Sequence, residues 1–494
     1  MDYKKQAGMA ALLVPQPHQS LMNPQTLFAQ WQREPSLSLS PHELPIHAPR
    51  SSTRTDNRAI SATNSPTLCD QPPPAQPFPY LTLLSTHLTL LTSFGLIQAS
   101  APLTTPHQTL LSLSPTATSW LLSVPIFLAY TLAPLSPLLT PRYISYPNVL
   151  ALGAGFHITG LLVASFGTGY GVLMLGQGVL VGLGHGMSFA PAVGRLTEAV
   201  KERAKWRTGV LGVAGCGAPV GGMVFAGVAR GMDGRKGVLW IVCGVVAVVT
   251  VGVQVCVRWG VAGGAEGVCG RGQGDCCETQ EHTVARRMQH VLRNRGLVHY
   301  TIAVFLFFAA LWIPYFQLRA FAIDALGKDP ADSFTVLMIL NAAGIPGRIV
   351  PALVSDGALG VINTYILVLL LTSITLLLLP LVATKADMFA WAAAYGFSSG
   401  GAVSLVQAGV IELCEGGDHL RCGVGVVFGI AGIASLVGAP VSAELVGLGL
   451  KLFGSGSDSF FLLQMCTGGM MLMACVGLFV ARTVKTGWCV ARRV

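Results

Sequence analysis

Along this chain, apolar and polar positions alternate on the scale of whole segments. Twelve runs of mostly apolar residues, each near the roughly 20 residues that a bilayer-spanning helix needs, are separated by shorter polar stretches. The pattern predicts spans at Tyr80–Ala101, Ser119–Leu139, Val149–Phe166, Val172–Ala192, Thr208–Val228 and Val238–Val257. Six more follow at Leu297–Leu318, Ser333–Val354, Val361–Leu379, Met388–Leu413, Val424–Val446 and Phe460–Val480. The first run is the least apolar. Thr82, Ser85, Thr86, His87, Thr89 and Thr92 would insert poorly alone, so this helix is expected to face a polar interior.

The polar stretches set the domain expectation. Residues 1–77 are rich in Pro, Ser, Thr and Gln, cannot bury enough apolar surface to offset ordering, and read as a disordered cytosolic tail. Residues 78–257 hold six runs and 297–483 hold six more. The Gly-, Cys- and charge-rich stretch 258–296 reads as a cytosolic linker, and 484–494 as a short cytosolic tail. With both termini inside, the inner loops carry thirteen Lys and Arg against seven in the outer loops, the bias of the positive-inside rule. The fold class is therefore an all-α membrane protein of twelve helices in two six-helix bundles.

Composition narrows the function. Charged residues make up 11% of the chain and apolar ones 52%, whereas a soluble domain carries about 25% charged residues. A soluble enzyme is excluded on this ground. The net charge of +9 resides in loops and follows membrane topology rather than a nucleic-acid surface. Twelve cysteines show no zinc spacing, several lie inside apolar runs, and they read as reduced small hydrophobes. The Gly-x-Gly runs fall inside spans and not between a strand and a helix, so no phosphate-binding loop, cofactor or metal is expected.

Arg348 is the electrostatic anomaly. It lies in the eighth run within Asn341-Ala342-Ala343-Gly344-Ile345-Pro346-Gly347-Arg348, where a permanent charge in hydrocarbon costs a few kcal/mol or more. Such a group needs a protein-lined, partly wet interior and an acceptor, either an anionic substrate or a carboxylate. The competing role is a structural pair with Asp356; eight residues along a helix is about 12 Å, too far without a fold-back. Asn341, two turns earlier on the same face, can contact substrate or join helices. Ser398, Ser404 and Gln407 in the tenth run are further candidates for the cavity wall. His157 and His185 lie mid-span and are candidates for proton coupling, with satisfied packing as the alternative for each.

Glycine and proline give the fifth run its character. Gly217, Gly221 and Gly222 flank Pro219, a pattern for close helix packing with a bend. Gly217-Ala218-Pro219-Val220 recurs as Gly438-Ala439-Pro440-Val441 in the eleventh run. These positions are equivalent in a six-plus-six repeat, as a transporter built from two related halves requires.

Four stretches carry a family resemblance. Ser93-Phe94-Gly95-Leu96-Ile97-Gln98 resembles SFGVFQ, and Ser114-Pro115-Thr116-Ala117-Thr118-Ser119-Trp120 resembles SPSTISWIGS. The run from Asn341 to Asp356 resembles NAASIFGRILPGYLAD, and Tyr395 to Leu405 resembles YGFFSGGFVSL. These are stretches of the fungal monocarboxylate-transporter-like branch of the major facilitator superfamily, and the likeness spans residues 80–483. It implies alternating access by a secondary transporter of small organic anions or related metabolites. The helix-five glycines are also similar to the antiporter motif of drug exporters, so efflux of a drug or secondary metabolite is an open alternative. A non-transporting receptor is a third.

The lysine that animal lactate carriers place in helix one is absent, and Gly344 stands four residues before Arg348 where they carry an aspartate. Proton-coupled lactate transport is therefore not implied. The expected partners are a small-molecule substrate, protons in the coupled case, and the bilayer. The expected location is the plasma membrane, with the vacuolar membrane as the alternative.

Overall fold

The computed structural model describes residues 79–100, 111–133, 144–200, 206–231, 235–260, 293–325, 330–414, 418–454 and 456–488, with positions 102, 289, 291 and 327. The expected tail, most of the linker, and Cys269, Cys276 and Cys277 lie outside the described residues. The described ones are helical with turns and contain no strand.

Among the described residues ten helices are long and apolar enough to cross a membrane: α1 Tyr80–Gln98, α3 Tyr146–Phe166, α4 Tyr170–Ala199, α5 Arg207–Gly231, α6 Lys236–Gly260, α7 Arg295–Ile323, α8 Asp332–Leu359, α9 Val361–Leu381, α11 Cys422–Phe453 and α12 Ser457–Thr486. Two further helices lie between these in the described residues. α2, Pro115–Thr131, has 17 residues. α10, Lys385–Leu413, has 29, but its Gly- and Ser-rich middle dilutes its apolar side chains.

Helix starts follow local chemistry rather than the hydrocarbon edge. Ser114 caps α2 by accepting the Ala117 N–H at 3.1 Å with Pro115 in the first turn, so α2 begins four residues before the predicted Ser119. Thr384 and Asp387 form a reciprocal capping box at the start of α10. The last turn of α8 widens to a π-helix over Ser355–Leu359 and carries Asp356.

α1 meets expectation only in part. Thr89, Thr92 and Ser93 line a small pocket with His157 and His185, but the hydroxyl protons of the helix are used mostly within the helix itself. Thr86, Thr89 and Ser93 donate to carbonyls four residues back at 2.7–2.8 Å, and Thr86 also reaches the Ala192 carbonyl on α4 at 3.1 Å. The polar side chains thus disappear into the backbone, and Ser85, Thr86, Thr89, Thr92 and Ser93 are buried against α4, α5 and α6.

In the first half α1 packs on α5 and α6, α3 on α4 and α6, and α2 on α4. In the second half α7 packs on α11 and α12, α8 on α10, and α9 on α10 and α12. The seam between halves is built by α2 against α11 and by α5 against α8, two pairs that a six-plus-six repeat exchanges. Outward faces stay apolar: Val248 and Val251 on α6 expose 73% and 64% of their surface, as lipid-facing residues do.

The repeat is also visible at the level of atoms. A Cβ on Gly217 would strike the His87 carbonyl of α1, and one on Gly438 would strike the Ala309 carbonyl of α7. The helix five–one and eleven–seven crossings are therefore the same backbone approach made twice, each beside a buried proline, Pro219 or Pro440.

Candidate functional site

The centre of the seam is aromatic. Phe94 of α1 stacks on Trp312 of α7 at 6.2 Å, and Tyr130 of α2 stacks on Phe428 of α11 at 5.7 Å. Phe189 of α4 meets Phe94 edge-on at 4.9 Å, and Phe308 of α7 meets Tyr130 at 5.1 Å. Both halves contribute to this buried cluster, whose rings pack stacked and edge-to-face on one another.

Arg348 sits beside it with 6% of its surface exposed. Its polar surroundings are neutral: Tyr315 of α7, Cys216 of α5 and Tyr130 of α2 are the titratable groups within electrostatic reach. Gln98 of α1, its amide turned to satisfy both ends, accepts from Arg348 Nη2 at 3.2 Å and donates to Asn341 Oδ1 at 2.9 Å and the Ala218 carbonyl at 3.1 Å. Arg348 Nε has no hydrogen-bond partner, and among the described residues no carboxylate pairs with the guanidinium. Asp356, the candidate partner in sequence, instead accepts the backbone N–H groups of Thr208 at 3.3 Å and Gly209 at 2.8 Å. A carboxylate at the first turn of α5 is favoured by the N-terminal end of the helix dipole.

Small residues of α5 make room for this arrangement. A Cβ on Gly212 would collide with the Arg348 carbonyl, and one on Gly222 would lie 2.6 Å from Asn341 Oδ1. Gly221 meets α1 at the Leu91 carbonyl in the same manner. Gly215 leaves a site 3.3 Å from Arg348 Nη1 and 3.9 Å from Ser404 Oγ, so Ser404 lies on the same side as the guanidinium.

The other candidates fall elsewhere. Asn341 is buried, donates to the Leu337 carbonyl of its own helix at 2.9 Å, and joins the Arg348 group through Gln98. Ser398 is buried and donates to the Tyr395 carbonyl at 3.3 Å, and Ser404 donates to the Gly400 carbonyl at 3.1 Å. Gln407 crosses the seam and donates to Thr197 Oγ1 of α4 at 2.7 Å, at the same end of the molecule as Asp356. His157 and His185 face each other at 4.6 Å between ring centroids, within the first half.

Four contacts therefore bridge the halves near their two ends: Asp356 on α5 and Gln407 on Thr197 at one, Arg230 over the Phe334 ring at 4.6 Å and Thr116 on Glu444 at 2.7 Å at the other. Among the described residues no three of His, Cys, Asp or Glu gather as a metal site would need.

Comparison with known proteins fixes the family. The profile of the Major Facilitator Superfamily matches residues 83–439. The chain belongs to this superfamily. Among its fungal relatives, an MFS-type transporter, opdF, of Penicillium oxalicum is 25% identical over 83% of this chain and 91% of its own length. The agnestins efflux protein AgnL12 of Paecilomyces divaricatus is 25% identical over 86% and 93%. Monocarboxylate transporter 13 of Rattus norvegicus is 26% identical over 66% and 73%, in line with the sequence resemblance to that branch. The solved structure of the transporter FucP in its outward conformation superposes with a TM-score of 0.57 at 12% identity, covering 81% of this chain and 98% of FucP, a likeness of fold. This superfamily member is thus a multi-pass integral membrane transporter of small molecules.

Gln98, Tyr130, Cys216 and Tyr315 join the Arg348 group without having been singled out in sequence. Only Gln98 carried a usable signal, as an amide near the end of an apolar run. The other three are apolar or aromatic residues that become site residues through helix packing alone.

Proposed function

We propose that this protein is a secondary transporter that moves an amphipathic organic anion by alternating access, with Arg348 as the anion-binding group. The observation that carries this is the guanidinium itself, buried at the seam of two halves with neutral neighbours and an unused Nε–H. A buried cation is costly, and an anionic solute that pairs with its planar fork offsets that cost only while bound. The aromatic cluster beside it suits a solute with an apolar or planar body.

Export is the preferred direction, because a relative of matching length is named an efflux protein for agnestins. Uptake of a small monocarboxylate is the second reading, favoured by the resemblance around Arg348 to the monocarboxylate branch. In either case the halves are bundles at 78–257 and 297–483, both termini lie in the cytosol by the bias of the basic loops, and the site is at the plasma membrane.

Comparing the metabolites inside and outside cells with and without the gene tests the reading. Loss of an organic anion from the medium supports export, and its loss from the cell supports uptake. If Arg348→Ala leaves the flux of the identified anion unchanged, the assignment of the binding group fails. A protein that reaches the membrane and changes no metabolite is the receptor of the third expectation.

A further inference from the structure

A second polar site lies inside the first half, away from the seam. His157 of α3 and His185 of α4 are 4% and 1% exposed, and their rings meet edge to face at 4.6 Å. His157 Nε2 and both nitrogens of His185 carry no hydrogen bond. The pair lines a cavity of about 20 Å³, above the roughly 10–15 Å³ that a single water requires. Thr89, Thr92 and Ser93 of α1, Ser188 of α4 and Thr250 of α6 supply hydroxyls to its wall. From α3 the wall is completed by Leu150 and Ala154, and from α6 by Val253, so the two imidazoles are its titratable groups. The α6 thiol of Cys243 is directed to the Ile158 carbonyl, next along α3 from His157.

Three orphaned ring nitrogens in a hydroxyl-lined, water-sized pocket are poorly explained by packing, since buried polar groups are normally paired. We propose that the His157–His185 pocket binds one proton together with a water molecule, and that its charge state sets which conformation the transporter favours. The proposal rests on the transporter reading only for its purpose; the site itself is independent of Arg348.

The geometry supplies the coupling. In the structure α3 and α4 touch backbone to backbone at this level: a Cβ on Gly184 would lie 2.6 Å from the Gly153 carbonyl and 2.7 Å from the His157 backbone nitrogen. A proton taken up by one imidazole leaves an imidazolium whose N–H groups must be donated, to its partner ring, to the pocket water and to the hydroxyls. A charge in an apolar bundle is costly unless solvated, so protonation favours a state in which water parts α4 from α3. α4 also carries Thr197, twelve residues or about 18 Å beyond His185, where it holds Gln407 of the other half. Displacing α4 therefore loosens the seam at that end.

The test uses the full chain in lipid without substrate. Spin labels at Trp206, at the start of α5, and Leu359, at the end of α8, report opening of that end by their separation at pH 7.5 and pH 4. The proposal expects a longer separation at pH 4, absent in His157→Gln and in His185→Gln and retained in Arg348→Ala. No shift in the parent, or a shift that survives both histidine variants, overturns it. If either variant fails to fold, ¹⁵N spectra of histidine-labelled parent protein decide. A buried imidazolium signal appearing between those pH values supports the site, and its absence refutes it. A lost anion flux in Arg348→Ala with the pH shift intact would separate the two sites.

Discussion

Asp356 on α8 accepts the backbone N–H of Gly209 on α5 at 2.8 Å, so a single carboxylate ties the second half of the molecule to a helix N-terminus of the first. The bond joins a charge to the positive end of a dipole, and a second N–H from Thr208 supports it. At the opposite end a cation–π contact and a hydroxyl–carboxylate bond span the halves.

Asp356→Asn keeps the shape and removes the charge. A charge-assisted contact of this kind contributes about 1–2 kcal/mol, which corresponds to a roughly five- to thirtyfold shift between closed and open states. The buried thiol of Cys216, on α5 and beside Arg348, reports that opening. In a variant that retains Cys216 as its single cysteine, Asp356→Asn is expected to speed maleimide labelling about tenfold at constant pH. An unchanged rate would mean that the carboxylate does not hold the seam.

Arg348 separates a functional residue from a structural one through stability. A structural arginine destabilises the protein when removed, because its partners are left unpaired. Arg348 has a neutral amide as its hydrogen-bond acceptor and an orphaned Nε, so Arg348→Met is expected to raise the unfolding temperature in detergent by a few degrees while abolishing anion transport. Arg348→Lys keeps the charge without the bidentate fork and is expected to lose at least tenfold in apparent affinity. A lowered unfolding temperature in Arg348→Met would make the residue a structural pin.

How much of this was legible in the chain divides along physical lines. Ten of the apolar runs came through as helices able to span, because lipid imposes a length and a composition on each, and the Gly-Ala-Pro-Val repeat came through because two crossings need the same absent Cβ. Arg348 stood out because hydrocarbon makes any charge conspicuous. Its surroundings did not: Tyr130, Cys216 and Tyr315 look like ordinary apolar-run residues, and only the docking of α2, α5 and α7 brings them to one guanidinium. The destination of Asp356 was hidden for the same reason, since its partner is backbone and carries no sequence signal. The hydroxyls of α1 were only half readable: intrahelical bonds to carbonyls take up their protons, while Thr89, Thr92 and Ser93 still line the small histidine pocket.

Gly222 and Asn341 give a test of the α5–α8 crossing that does not depend on substrate. A Cβ at position 222 would lie 2.6 Å from Asn341 Oδ1, and the contact cannot relax freely because that oxygen is held by Gln98. Gly222→Ala is expected to destabilise the closed seam by about 1–3 kcal/mol, the range for overpacking. Shortening the opposing side chain in Gly222→Ala/Asn341→Ala should recover part of that loss, whereas Asn341→Ala alone frees the Gln98 amide and weakens the seam. Unfolding temperatures of the four proteins complete the cycle, and strictly additive effects would show that the two positions do not meet.

The repeat makes a stricter demand. Gly217 meets the His87 carbonyl on α1 and Gly438 meets the Ala309 carbonyl on α7, in both cases so closely that no side chain fits. If the two halves rely on the same crossing, Gly217→Val and Gly438→Val should fail in the same manner. Each must push apart a helix pair inside one half, and backbone cannot yield as a flexible side chain can. The expected result is a chain that still inserts, since neither change reduces the hydropathy of its span, but whose affected half loses protease resistance. Limited proteolysis in membranes reads this directly: Gly217→Val should open sites between α1 and α6, and Gly438→Val sites between α7 and α12. Because the two contacts lie in different halves, the double variant should show both patterns superimposed. A Gly438→Val protein with the proteolytic pattern of the parent would show that the second Gly-Ala-Pro-Val stretch shares only its letters with the first.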